Sequence, residues 1–142
     1  MKKHIGVWVD HEKAFVASIL KDDEMMKETI HCIESNVEGH FRLSGGSRSR
    51  TPYGPQDVAS EKKIDERRKH HLRQYYQKII RAIQDSRKVL IFGPGEAKLE
   101  LEKEIRKSKE LAEKLVGVEA ADKMTERQVA AKVRRYFFPG LK

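Results

Sequence analysis

The residues best suited to chemistry are six consecutive ones, Gly45-Gly46-Ser47-Arg48-Ser49-Arg50, followed by a helix-like run dense in Lys, Arg and His. A glycine pair opens backbone shapes closed to other residues and lets a second backbone come near. Arg48 and Arg50 offer planar donors matched to phosphate oxygens. Behind them stand Lys62, Lys63, Arg67, Arg68, Lys69, His70, His71 and Arg73, spread over several faces of a helix. Tyr53, Tyr75 and Tyr76 could stack on bases. The pattern predicts contact with nucleic acid, phosphates held by the cations. Its plainer reading is a solvated basic helix behind a flexible loop.

Three further constellations stand in the sequence. Gly93-Pro94-Gly95 ends an apolar run and opens a helical pattern, so Gly93 and Gly95 form a possible anion site at free backbone N–H groups. The spacing is neither a P-loop nor a dinucleotide fingerprint, and a tight structural turn is the simpler expectation. Asp10 ends the first apolar run, where a metal-dependent nuclease would place a carboxylate. Its companions would be Glu96, Glu119 and Asp122, none at a diagnostic spacing. A turn residue preceding His11 is expected instead. His70 and His71 point about 100° apart on a helix, and His4, His31 and His40 show no ligand spacing. No metal and no cofactor are expected. Cys32 is the only cysteine. It cannot close an internal disulfide and reads as a small buried hydrophobe.

The elements that must position these groups follow from periodicity. Residues 4–10 and 14–20 read as strands joined by so short a link that they must pair antiparallel. Residues 25–35 alternate around Thr29, His31 and Ile33 as a third strand. The stretch 36–56 carries no periodicity and reads as a flexible basic loop. From Asp57 to Gln84, Ile64, Arg68, Leu72, Tyr76, Ile79, Ile80 and Ile83 recur at helical spacing. That apolar stripe is thin at first and thick later, so the C-terminal half is expected to pack on the body while the N-terminal half projects. Residues 87–93 are a continuous apolar run typical of a buried parallel strand. A helix over 94–114, a strand over 115–121 and a helix opening at Thr125 complete the order β-β-β-α-β-α-β-α. Trp8, Val16 and the terminal 136–140 are expected in the core. This order fits a three-layer α/β fold: one mixed five-stranded sheet with helices on both faces and a long basic helix.

At 142 residues the chain suits one domain, 1–142, with 38% apolar and 37% charged residues. Its net charge of +8 is concentrated. Residues 41–82 hold eleven Lys and Arg against four Asp and Glu, the rest nineteen against eighteen. Such asymmetry points to an anionic partner, nucleic acid first, a membrane surface or acidic protein second. No apolar run reaches the length of a membrane span, and the basic-then-apolar start meets Asp10 and His11 too soon for a signal peptide. A cytoplasmic protein without membrane attachment is expected. Its oligomeric state is not legible.

The same segments resemble a family. "GGSRSR" (45–50) with "ERRKHHLRQYYQKI" (66–79) resembles the middle domain of archaeal and eukaryotic class-1 peptide-chain release factors and their Pelota relatives. There, a Gly-Gly-Gln loop precedes serine, arginines and a long basic helix. "LIFGPGEAKLELEKEI" (90–105) is similar to the strand, Gly-Pro-Gly turn and helix of Pelota-type middle domains. The resemblance covers about 41–136 and implies a ribonuclease-H-like sheet. It implies a stand-alone domain, since neither the decoding nor the C-terminal domain of those factors fits in this length. It also implies a loop tip at Gly45, Gly46 and Ser47. RNA contacts would come from Arg48, Arg50, Lys62, Lys63, Arg67, Arg68, Lys69, His70 and Arg73. The partners would be ribosomal RNA or tRNA on the ribosome. The family's catalytic glutamine falls at Ser47, which keeps the backbone N–H and loses the amide. Pelota also lacks that glutamine and acts without hydrolysing peptidyl-tRNA. The resemblance therefore implies docking, with hydrolysis unsupported. The alternative is a divergent hydrolase, acting on peptidyl-tRNA through the loop or as a metal-dependent ribonuclease-H-like nuclease through Asp10.

Overall fold

Two long apolar runs dictate the middle of the structure. The computed structural model describes residues 3–35 and 54–140, with side chains of the first helix described from residue 66 onward. Strand β1 (Lys3–Val9) is buried at every position from Ile5 to Val9, and β4 (Ser86–Gly93) from Val89 to Gly93. Strands covered on both faces need such unbroken apolar runs. β2 (Lys13–Lys21) pairs antiparallel with β1, and β3 (Met26–Glu34) antiparallel with β2. β4 runs parallel to β1, and β5 (Leu115–Ala120) parallel to β4. The sheet order is β3-β2-β1-β4-β5, mixed and five-stranded as expected.

The strand pleat sorts side chains into two cores. Ile5, Val7, Val9, Ala14, Val16, Val89 and Ile91 face helix α1 (Gly54–Ile83), α2 (Ala97–Arg106) and α3 (Lys109–Lys114). Trp8, Phe15, Ala17, Ile19, Leu90 and Phe92 face α4 (Glu126–Phe137), which contributes Val129 and Val133. Trp8 and Val16 are core as expected, and Phe137 and Phe138 pack at the margin of the second core. Gly6 lets α4 lie against β1: a Cβ there would stand 2.2 Å from Cγ2 of Val133.

Some boundaries differ from the sequence expectation. α1 begins at Gly54, so the last residues of the expected loop are helical. Pro55 fits there because the first-turn N–H groups have no intrahelical partner. The rest of that loop, with Gly45, Gly46, Ser47, Arg48, Arg50 and Tyr53, lies outside the described residues. The helix expected over 94–114 is two helices. Ser108 breaks it, accepting a hydrogen bond from the N–H of Leu111 as the N-cap of α3. Cys32 is exposed, not buried. It lies on β3, the edge of the sheet, where nearly every position faces solvent. Partial burial first and Glu34 second push its thiol pKa up.

Candidate nucleic-acid interface

Helix α1 spans 30 residues, about 45 Å. Its C-terminal half is bolted to the body. Tyr75, Tyr76, Ile79, Ile80 and Ile83 are buried, with Leu72 packed half-buried against them. This corrects the stacking role expected of Tyr75 and Tyr76. Their rings are core, 1% and 4% exposed, and neither offers a face to a base. They recur with Ile79, Ile80 and Ile83 on the helix side that meets the sheet, and burying that stripe outweighs exposing two rings.

The hydroxyls of these adjacent tyrosines tie one turn of the helix to two other parts of the chain. Tyr75 Oη donates to the backbone carbonyl of Asp10 at 2.9 Å, and Tyr76 Oη to Oε1 of Glu100 on α2 at 2.6 Å. His11 Nε2 lies 3.1 Å from the same Glu100 oxygen. Burial, then the Asp10 carboxylate, raises the Tyr75 phenol above its ordinary range. Burial, then Glu100, does the same to Tyr76. Both therefore stay protonated donors. The β1–β2 turn is held in the same cluster, as Ser35 Oγ donates to the His11 carbonyl at 2.6 Å.

Asp10 is a turn residue, as expected. Its Oδ1 accepts the backbone N–H groups of Glu12 and Lys13, each at 2.8 Å. Of its possible companions, Glu119 pairs with Lys132 at 3.0 Å, and Glu96 is exposed at the start of α2. Asp122 holds Trp8 Nε1 through its carbonyl at 3.0 Å. Among the described residues no three His, Cys, Asp or Glu gather in a metal-binding arrangement. The Gly93–Gly95 turn is shaped by backbone. Gly93 has φ of 153°, and a Cβ there would stand 2.2 Å from the carbonyl oxygen of Val9. Gly95 has φ of 64°, and its carbonyl accepts the Lys98 ammonium. The turn carries carboxylates of its own, Glu96 at the N-cap and Glu100 in the first turn of α2.

The solvent side of α1 is different. From residue 67 to residue 84 the chain has six Lys and Arg, two His and no Asp or Glu. Arg67, Lys69, His70 and Arg73 are exposed, and Arg68 is half-buried on the body side. The stripe continues through Gln74, Gln77, Lys78 and Arg81, all exposed. Arg67, His70, Gln74, Gln77, Lys78 and Arg81 recur at three or four residues and line one side over about 21 Å. Among the described residues, Arg67, Lys69, Arg73, Lys78 and Arg81 enter no ion pair. Lys3, Arg106, Lys107, Lys132 and Arg134 elsewhere each have a carboxylate within 3.0 Å. Glu104 on α2 reaches this side, where it accepts from Gln77 Nε2 at 3.3 Å and is matched by Lys107 at 2.9 Å. His70 and His71 diverge, with ring centroids 6.2 Å apart. Lys62 and Lys63 lie on α1, with side chains outside the described residues. Sequence reasoning overlooked Lys78 and Arg81 as site residues, although the missing acids beyond Glu66 were the signal.

No protein-family model matches the chain, and no curated protein matches it. Among solved structures it is similar to an archaeal translation termination factor, aRF1, with a TM-score of 0.45 and 14% identity. The match covers 97% of this chain and 42% of that one. A likeness of that size says nothing about activity or partners. No helix among the described residues is long and apolar enough to cross a membrane.

Proposed function

We propose that this protein is a cytoplasmic nucleic-acid-binding module of translation that docks on ribosomal RNA or tRNA through α1. The observation that carries the reading is the acid-free, solvent-facing stripe of Arg67, His70, Lys78 and Arg81, flanked by exposed Arg73, on a helix whose opposite side is anchored in the core. An anchored helix presents its cations at fixed spacing, so little ordering entropy is lost on binding. The chain's net charge of +8 draws a polyanion in at long range. The link to translation rests on the release-factor and Pelota resemblance of residues 45–50, 66–79 and 90–105. In that resemblance Gly45, Gly46 and Ser47 form the tip that enters an RNA cavity, with Arg48, Arg50, Lys62 and Lys63 behind it. No observation favours the hydrolase alternative, since the Asp10 carboxylate is engaged in its own turn.

The test is RNA affinity as a function of salt for the wild type and for Arg67→Ala/Arg73→Ala/Arg81→Ala. Each phosphate contact adds about 0.7–0.9 to the slope of log K against log salt. The variant is therefore expected to bind more weakly, with a slope smaller by about 2–3. Unchanged affinity and slope would remove α1 as the docking surface. Sedimentation of the tagged protein with ribosomes, abolished by ribonuclease, tests the translation link.

A further inference from the structure

The other face of the sheet carries a second cationic surface. A groove of about 750 Å³ lies between the end of β5, the 121–124 connection and α4. Its floor is apolar, with Met124 packed on the second core. Lys123, Arg127, Lys132 and Arg135 line it, against Glu119 and Asp122. These charges are not equivalent. Lys132 pairs with Glu119 at 3.0 Å and lies 5.4 Å from the centre of the Phe92 ring, so those two opposite charges cancel. Arg134, on the side of α4 toward β3, is consumed by Glu28 at 2.5 Å. Among the described residues, Lys123, Arg127 and Arg135 enter no ion pair, and they face the single remaining carboxylate of Asp122.

Geometry makes these cations a row. Arg127, Ala131 and Arg135 are four apart, one ridge of α4, with the two arginines about 12 Å apart along the axis. Ala131 between them leaves room for a chain to approach. Tyr136, 41% exposed, stands at the lip, its ring at 83° to that of Phe137. Guanidinium groups in a row, an exposed ring and a small residue between them suit a phosphodiester chain better than a compact anion. The Thr125–Gln128 capping box and the buried Val129 and Val133 hold α4 rigidly in place.

We propose that this groove binds an RNA backbone, so that the protein bridges two RNA segments on opposite sides of its sheet. The groove does not depend on the α1 reading, but the bridging does. A full layer of strands separates the two helices, so one phosphate chain does not serve both.

The test uses two short RNA hairpins, one labelled with a donor fluorophore and one with an acceptor, mixed with the full chain at low salt. Energy transfer is expected to appear with protein, peak near one protein per two hairpins and fall at protein excess. Arg127→Glu/Arg135→Glu, both on the surface, should abolish the transfer while one hairpin still binds; circular dichroism verifies folding. The groove's share is read in the Arg67→Ala/Arg73→Ala/Arg81→Ala background, where α1 is weakened. There, adding Arg127→Ala/Arg135→Ala should lower the salt slope by about 1.4–1.8. No hairpin binding in that background, or an unchanged slope, overturns the groove. A groove that binds there without energy transfer in the wild type overturns the bridging and points to failure of the α1 reading. Saturable binding of a polyglutamate peptide with none of RNA overturns the proposal in favour of an acidic protein partner.

Discussion

Gly6 and Val133 make the seat of α4 on the sheet directly testable. In Gly6→Ala the new methyl would stand 2.2 Å from Val133 Cγ2, with Cβ and Cγ1 of the same valine at 3.1 Å. Ordinary contact begins near 3.4 Å, so α4 must withdraw by about 1.2 Å. Val133 is fully buried and has no flexible end to swing aside, so backbone must move. Overpacking of this kind costs about 1–3 kcal/mol. Taking about 2 kcal/mol, and roughly 3–5 °C per kcal/mol for a chain of this size, Tm should fall by about 6–10 °C. Val133→Ala alone removes two buried methyl groups and should also cost about 2 kcal/mol. In the double variant the alanine methyl at position 6 occupies space that the valine vacates. Independent sites would give about 4 kcal/mol; the double variant is expected near 2, a coupling of about 2 kcal/mol. Urea denaturation of the four proteins measures it. Additivity within about 0.5 kcal/mol would refute the packing of α4 on β1 and, with it, the geometry of the groove that α4 carries.

Two other predictions concern single side chains. His4 sits between the rings of Phe137 and Phe138, and burial first, then Arg87 and Lys88, lowers its pKa. The unfolded histidine therefore takes up a proton near 6.5 that the folded one refuses, so stability should fall as pH drops below about 7. His4→Phe should flatten that part of the pH–stability curve in urea titrations between pH 5 and 8. Tyr75→Phe removes the donor to the Asp10 carbonyl and should cost about 1–2 kcal/mol in the same assay; an unchanged midpoint would mean that this bond does not anchor α1.

Much of this architecture is written in periodicity. The unbroken apolar runs of β1 and β4 mark strands covered on both sides, and the short link after Asp10 leaves only a hairpin. What periodicity hides is tertiary choice. Tyr75 and Tyr76 read equally as stacking rings or as core until the sheet is present to bury them. Cys32 has a core residue's chemistry, and its exposure follows from β3 lying at the edge of the sheet, which no local pattern states. The break at Ser108 was legible. From Leu101 to Ile105 the apolar spacing is four, but from Ile105 to Leu111 it is six, off the helical period, and a serine stands at the misstep. The approach of His11 to Glu100 spans 89 positions and has no local signature. The α4 groove was missed for another reason. Its cations are diluted in sequence by Glu119, Asp122 and Glu126, and only the pairing of Lys132 with Glu119 shows which charges remain.

The two sides of α1 are consequences of one arrangement. From residue 69 to residue 83 the helix carries four Lys and Arg and no acids, and cations three and four apart there, such as Lys69 with Arg73 and Lys78 with Arg81, repel. It is held by what its other side buries, Tyr75, Tyr76, Ile79, Ile80 and Ile83, and by two phenol hydrogen bonds to separate elements. The repulsion is the cost of leaving the stripe unneutralised, and it is relieved when an external polyanion arrives. Acids placed on the stripe should therefore do two things together. Arg73→Glu and Lys78→Glu should leave the fold intact or stabilise it slightly while weakening RNA binding. Loss of binding accompanied by loss of stability would instead mean that these cations serve the fold, and the stripe would need no partner to explain it.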